Sequence, residues 1–182
     1  MLKKILELDA RITEHLRITE RQSKLRPFGI FLAHSGDSWF ILLALFAVWL
    51  FTRGFWHTLT ALMAVAAVGL AIVVLVTKFL IRRKRPEGDW GAIYRNTDPH
   101  SFPSGHAART AMLALIALML GPLWLGIMLL IWAPLVSLAR VWMGVHYLSD
   151  VIAGFILGVI AALVVHGISP WLISTLPFPF LR

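Results

Sequence analysis

Three short stretches of this chain carry side chains that belong together chemically: Lys78-x6-Arg85-Pro86, Pro103-Ser104-Gly105-His106 and Arg140-x5-His146-x3-Asp150. They supply three cations, two imidazoles and one carboxylate, all at the ends of apolar runs. This set suits a reaction in which a phosphate is clamped by positive groups and attacked by a histidine. In phosphoryl transfer a protein mostly positions the phosphate and stabilises its charge. Lys78, Arg85 and Arg140 are the candidates for that task, and a guanidinium fork holds two oxygens at once. A helix starting at Ser104 would add the free backbone N–H groups of Gly105 and His106. The Ser104 hydroxyl would give one more hydrogen bond.

The spacing also distributes the chemical roles. His146 and Asp150 are four apart, so on a helical turn they face each other. A carboxylate there fixes the tautomer of the ring and steadies the positive imidazole that forms on attack, which makes His146 the expected nucleophile. His106 is then the expected general acid for the leaving alkoxide. After Asp98 the only acid is Asp150, so no carboxylate cluster for Mg²⁺ or Ca²⁺ is in view. A site of three histidines would be repelled by the same cations. Metal-independent catalysis with no cofactor is the expectation.

These residues need elements to bring them together. The chain has 182 residues, of which 59% are hydrophobic and 14% charged. That is too little polar surface for a water-soluble globule. Residues 38–52, 59–76, 110–136 and 151–165 are nearly free of charge, and a run near ~20 residues crosses the hydrocarbon layer as a helix. Gly121-Pro122 splits the longest run into two crossings. The expected architecture is an all-α integral membrane bundle of about five crossings, at roughly 28–52, 56–81, 104–120, 122–142 and 147–168. In front of it, residues 1–27 place Leu2, Ile5, Leu8, Ile12 and Leu16 on one stripe of a helix whose other face is charged. Such a helix cannot span. It either lies in the membrane interface or packs on another protein chain. Residues 1–26 lack the apolar core of a signal peptide. Behind the bundle, residues 169–182 carry Pro170, Pro177 and Pro179 and read as a non-helical interfacial tail anchored by Trp171 and Phe178. The domains are therefore 1–27, 28–168 and 169–182.

Alternating crossings put Lys78, Arg85, Ser104, His106, Arg140, His146 and Asp150 at one membrane face. The net charge is +8, and of the 17 Lys and Arg, seven lie in residues 1–27 and six in 78–95. These flank apolar helices, so attraction to anionic lipid or a phosphorylated substrate explains them better than nucleic acid does. The positive-inside rule places that face in the cytoplasm. There is no cysteine, hence no disulfide. The expected partners are a lipid phosphate substrate and membrane lipids. Gly154-x3-Gly158 allows close helix approach, either within the bundle or between two copies of the chain.

The three motifs resemble those of the type 2 phosphatidic acid phosphatase (PAP2) superfamily, whose signature is Lys-x6-Arg-Pro, Pro-Ser-Gly-His and Ser-Arg-x5-His-x3-Asp. The match covers about residues 70–165. It implies a membrane lipid phosphatase working through a phosphohistidine on His146. The stretch 101–109 is similar to the branch that acts on isoprenoid diphosphates. Two departures stand out. Ala139 replaces the signature serine, which puts one phosphate contact in question, and the crossings number five where many bacterial members have six. Two other readings share the motifs: a vanadate-dependent haloperoxidase, whose relatives are soluble, and a lipid or polyisoprenoid carrier that binds phosphate without cleaving it.

Other residues near the motifs are less specific. Arg109 could be a fourth phosphate ligand, or pair with Asp150, or hold loop carbonyls. Arg82, Arg83 and Lys84 read as headgroup anchors. His100 reads as a solvated loop residue or one that tunes the entrance, and His34, His57 and His166 as ordinary interfacial residues, away from the motif face or at helix edges. Trp90 and Tyr94 could cover the site.

Overall fold

The computed structural model describes residues 2–17, 24–87 and 98–175. The expectations for Trp90, Tyr94, Pro177, Phe178, Pro179 and the side chain of Leu2 lie outside the described residues. The described chain forms α1 (Leu2–Leu16), α2 (Arg26–Ser35), α3 (Ser38–Phe51), α4 (Phe55–Ile81), α5 (Gly105–Leu120), α6 (Leu123–Trp142) and α7 (Leu148–Thr175). Helices α4, α6 and α7 are long and apolar enough to cross a membrane. The first expected crossing is a bent pair: α2 and α3 qualify together but meet at 55° around Gly36 and Asp37. The fifth member of the bundle, α5, is a shorter apolar helix.

α5 is the axis on which α4, α6 and α7 pack. Ala107, Ala108, Ala111, Met112, Ala114, Ile116 and Ala117 are at most 1% exposed. Its small side chains let neighbouring backbones come close, the means by which helices associate in lipid. Gly154 and Gly158 of α7 use this. A Cβ on Gly154 would lie 2.4 Å from the Ser104 carbonyl oxygen, and one on Gly158 2.1 Å from that of Ala108. The small-residue pair is therefore spent inside the bundle. Facing outward, Trp39, Phe46, Leu75, Ile131 and Ile156 are all exposed, as helices solvated by lipid require.

One sequence expectation needs correction. Pro170 does not end the last helix, because α7 runs through it to Thr175. The proline frees the carbonyl of His166 from its helical partner, and the Ser169 hydroxyl donates to that carbonyl at 2.9 Å. α1 meets the bundle by its polar side. Asp9, Thr13 and Leu16 face the bundle, whereas Ile5 and Leu8 are more than half exposed. The Asp9 carboxylate accepts from the Ser149 N–H at 3.1 Å and the Thr13 hydroxyl from the Leu148 N–H at 3.0 Å. These are orphan donors of the first turn of α7, so α1 caps α7 from outside and keeps its apolar side free.

Candidate active site

Each motif meets the others because a helix ends or begins beside it. α4 ends at Arg82, whose φ of 53° turns the chain sharply. The next residues run antiparallel to the segment before α5. Lys84 and His100 form a β-bridge, and the Ser101 N–H donates to the Arg83 carbonyl at 2.8 Å. This pairing sets Arg85 beside the start of α5. There Ser104 caps the helix, its Oγ accepting from the Ala107 N–H. Its own N–H donates to the Asp150 carbonyl at 2.9 Å, which ties α5 to the first turn of α7. α6 ends at Trp142, and Gly144, with φ of 63°, turns the chain back so that His146 lies close to Arg140.

The result is a cavity of about 250 Å³ walled by Lys78, Arg85, Gly105, His106, Arg109, Arg140 and His146, with Asp98 and His100 at its side. Ser104 is fully buried under the helix start and does not line it. Asp150 is likewise fully buried behind His146. The cavity continues into an apolar groove of about 210 Å³ between α3 and α4. Ser38, Ala67, Ala71, Leu75 and Arg109 belong to both, and Leu42, Val68 and Ile72 extend the groove.

His146 is oriented from two sides. Arg85 Nη1 lies 3.2 Å from its Nε2. A guanidinium carries only donors, so Nε2 is the acceptor and the ring proton sits on Nδ1. That nitrogen points to Asp150 Oδ2 at 3.6 Å, and among the described residues it has no hydrogen-bond partner. Burial, followed by Arg85, Arg140 and Lys78, pushes the His146 imidazole well below the ordinary histidine range, with Asp98 opposing. The ring is thus neutral near pH 7, and its lone pair faces the cations.

Three acids and one arginine escaped the sequence reading. Asp37, in the bend between α2 and α3, accepts from His106 Nε2 at 2.7 Å and from His34 Nδ1 at 3.0 Å. His34, at the C-terminal edge of α2, therefore lies on the motif face. An ionisable residue inside an apolar crossing is the signal that could have marked Asp37. Arg83 is no headgroup anchor. Its Nη1 donates to Asp150 Oδ1 at 2.7 Å and its Nη2 to Asp9 Oδ2 at 2.6 Å, and the guanidinium lies 4.0 Å from the Tyr147 ring centroid. Nothing in the Arg82-Arg83-Lys84 run distinguishes it. Asp98 bridges Lys78 and Arg85. Arg109 takes one of the roles left open for it, donating to the Gly36 carbonyl. Ala139 is fully buried among Leu32, Ala33, Met143 and Val145, packed against α2.

Comparison with known proteins gives the family and the fold. The family model of the PAP2 superfamily matches residues 59–174. An undecaprenyl-diphosphatase of Sulfolobus acidocaldarius is 35% identical over 135 residues, covering 71% of this chain and 63% of that protein. A decaprenylphosphoryl-5-phosphoribose phosphatase of Mycobacterium tuberculosis is 41% identical over 106 residues, covering 57% of this chain and 56% of that protein. The chain thus spans less than two thirds of either relative. Among solved structures, the PAP2 type phosphatidylglycerolphosphate phosphatase of Bacillus subtilis superposes with a TM-score of 0.75 at 25% identity, over 96% of this chain and 89% of that one. Aquifex aeolicus LpxE shares the fold with a TM-score of 0.68.

Proposed function

As this chain belongs to the PAP2 superfamily, we propose that it removes a terminal phosphate from a membrane lipid phosphate or an isoprenoid diphosphate. One observation carries the proposal: a cavity ringed by Lys78, Arg85, Arg109 and Arg140 and holding two histidines opens into an apolar groove. The cations suit the phosphate and the groove suits a hydrocarbon tail. The names of the two relatives favour a polyprenyl tail.

In the proposed reaction Lys78, Arg85, Arg140 and the Gly105 N–H hold the phosphate oxygens. His146 Nε2 forms a bond to phosphorus as the bond to the leaving oxygen breaks, and Asp150 steadies the ring proton on Nδ1. His106, oriented by Asp37, delivers a proton to the leaving oxygen. Water then attacks the phosphohistidine, losing its proton to His106, and inorganic phosphate departs. The cation ring would repel a metal ion, which supports a metal-independent route. Ser104 serves by positioning the start of α5.

We place the site on the cytoplasmic face. Residues 1–27 carry seven Lys and Arg, and α1 within them docks beside the site through Asp9 and Arg83, so both share a side under the positive-inside rule. Labelling of single-cysteine variants at Glu87 and Arg53 from outside intact cells tests this: reaction at position 87 would reverse the assignment.

The activity test is phosphate release in detergent with a chelator present, across phosphatidic acid, phosphatidylglycerol phosphate and polyprenyl diphosphates. Release should persist without metal. Substrate labelled in its terminal phosphate should leave an acid-labile label on the enzyme, absent in His146→Ala. Turnover by that variant would reject the mechanism.

A further inference from the structure

Two of the cations proposed to bind the phosphate already hold an anion. Arg85 Nη2 donates to Asp98 Oδ2 at 2.8 Å, and Lys78 Nζ donates to the same oxygen. The Asp98 side chain is 39% exposed, against 7% for Lys78 and 1% for Arg85. A carboxylate therefore reaches from the mouth of the cavity onto cations at its floor, where an oxygen of a bound phosphate has to lie. The backbone beneath it is anchored separately. Arg85 Nε donates to the Asp98 main-chain carbonyl at 2.7 Å, and the Ser101 N–H donates to Arg83. The side chain can swing away by rotation about its own bonds while the chain stays in place.

Resting on the phosphatase reading of the site, we propose that Asp98 is a built-in counter-anion that competes with the substrate phosphate for Lys78 and Arg85, so that a ligand fills the subsite only by displacing it. The physical basis is a competition. A tethered carboxylate acts at a high effective concentration that no free ligand matches. A phosphodiester offers the same single charge as the carboxylate and gains nothing by replacing it. A terminal phosphate brings close to two charges and three acceptor oxygens, so Lys78 and Arg85 gain on the exchange. Any ligand's apparent affinity is reduced by the fraction of sites that the carboxylate occupies. The factor is the same for every ligand of the subsite, so the carboxylate raises the concentration of phosphate needed for occupancy without changing the ranking of ligands.

The experiment compares wild type with Asp98→Asn and Asp98→Ser in mixed micelles, with folding checked by melting temperature. Binding of orthovanadate and inorganic phosphate is titrated, and phosphatidylglycerol serves as the phosphodiester probe competing with orthovanadate. In both variants inorganic phosphate and orthovanadate should bind ~5–10-fold more tightly by a common factor, with the potency of phosphatidylglycerol relative to orthovanadate unchanged. In turnover, KM in micelles free of phosphodiester lipid should fall by more than kcat changes. Unchanged or weaker binding of both probes in the two variants would overturn the proposal and leave Asp98 as a brace for Lys78 and Arg85. A wild type that binds neither phosphate nor orthovanadate would instead sink the phosphatase reading, and this inference with it.

Discussion

Arg83 and Asp150 form an ion pair of 2.7 Å in which the carboxylate is fully buried, and the other arm of the same guanidinium grips Asp9 of α1. Asp150, the proposed partner of His146, is thus tied through Arg83 to the helix α1. Removing one partner of such a pair leaves a buried charge uncompensated. Arg83→Ala should lower stability by about 3 kcal/mol and cut kcat strongly, with Arg83→Lys recovering part of both. Asp9→Asn should have a smaller effect in the same direction. Thermal melts alongside steady-state kinetics check this. An Arg83→Ala protein with normal kcat would show that Asp150 needs no anchor.

The contact between His106 and Asp37 predicts a dependence on the leaving group. General acid catalysis typically contributes ~10²–10⁴-fold. His106→Ala should lose activity in that range on an alkyl phosphate and far less on p-nitrophenyl phosphate, whose leaving group needs no proton. Asp37→Asn should follow the same pattern with a smaller loss. Equal losses on the two substrates would assign His106 to phosphate binding instead.

The cations around His146 predict a pH effect. Because its folded-state pKa is depressed, the neutral nucleophile persists as pH falls through 6.5 and is lost only below that. Lys78 contributes to the depression, so in Lys78→Met the acid limb of kcat/KM should move to higher pH. The ionisation of the substrate is common to both enzymes and cancels in the comparison. A limb that stays in place would separate Lys78 from the charge of the nucleophile.

At the contact of α5 with α7, Gly158→Ala forces a Cβ to 2.1 Å from a backbone oxygen and should destabilise by about 1–3 kcal/mol. Gly69, with nothing within 4 Å of its Cβ position, is the control: Gly69→Ala should leave the melting temperature unchanged or slightly raised.

Ala71 lines both cavity and groove. Ala71→Phe should fill the groove and raise KM for long-chain substrates at least ~10-fold, while hydrolysis of a short soluble phosphate changes little. Equal effects on both would place the tail elsewhere.

Much of this arrangement was legible from residue order alone. The Ser104 cap and the Gly121-Pro122 break located α5 and the start of α6 within a residue, because such signals act locally. The crossings then placed the motifs on one face by alternation. What stayed hidden depends on tertiary contact. Pro170 looks like a terminator until Ser169 is seen to satisfy the freed carbonyl. Arg83 is one of three adjacent cations until the turn at Arg82 aims it inward. Asp37 and Asp98 are isolated acids in sequence, and they gain meaning only from the cations and rings that other segments bring to them. Ala139 departs from the family signature, yet it sits in a dry cluster with Leu32 and Ala33, where a hydroxyl would need a partner.

The central helix α5 has 16 residues, or ~24 Å of length, against a hydrocarbon layer of ~30 Å. If its C-terminal end reaches the far leaflet's boundary, its N-terminal end stops ~6 Å short of the near one, and His106 sits at that end. The chemistry would then take place below the plane in which lipid headgroups rest. A phosphate would then have to sink to meet the histidines, or the leaflet around the protein to thin. Under the proposed function, turnover should depend on bilayer thickness as well as on headgroup identity.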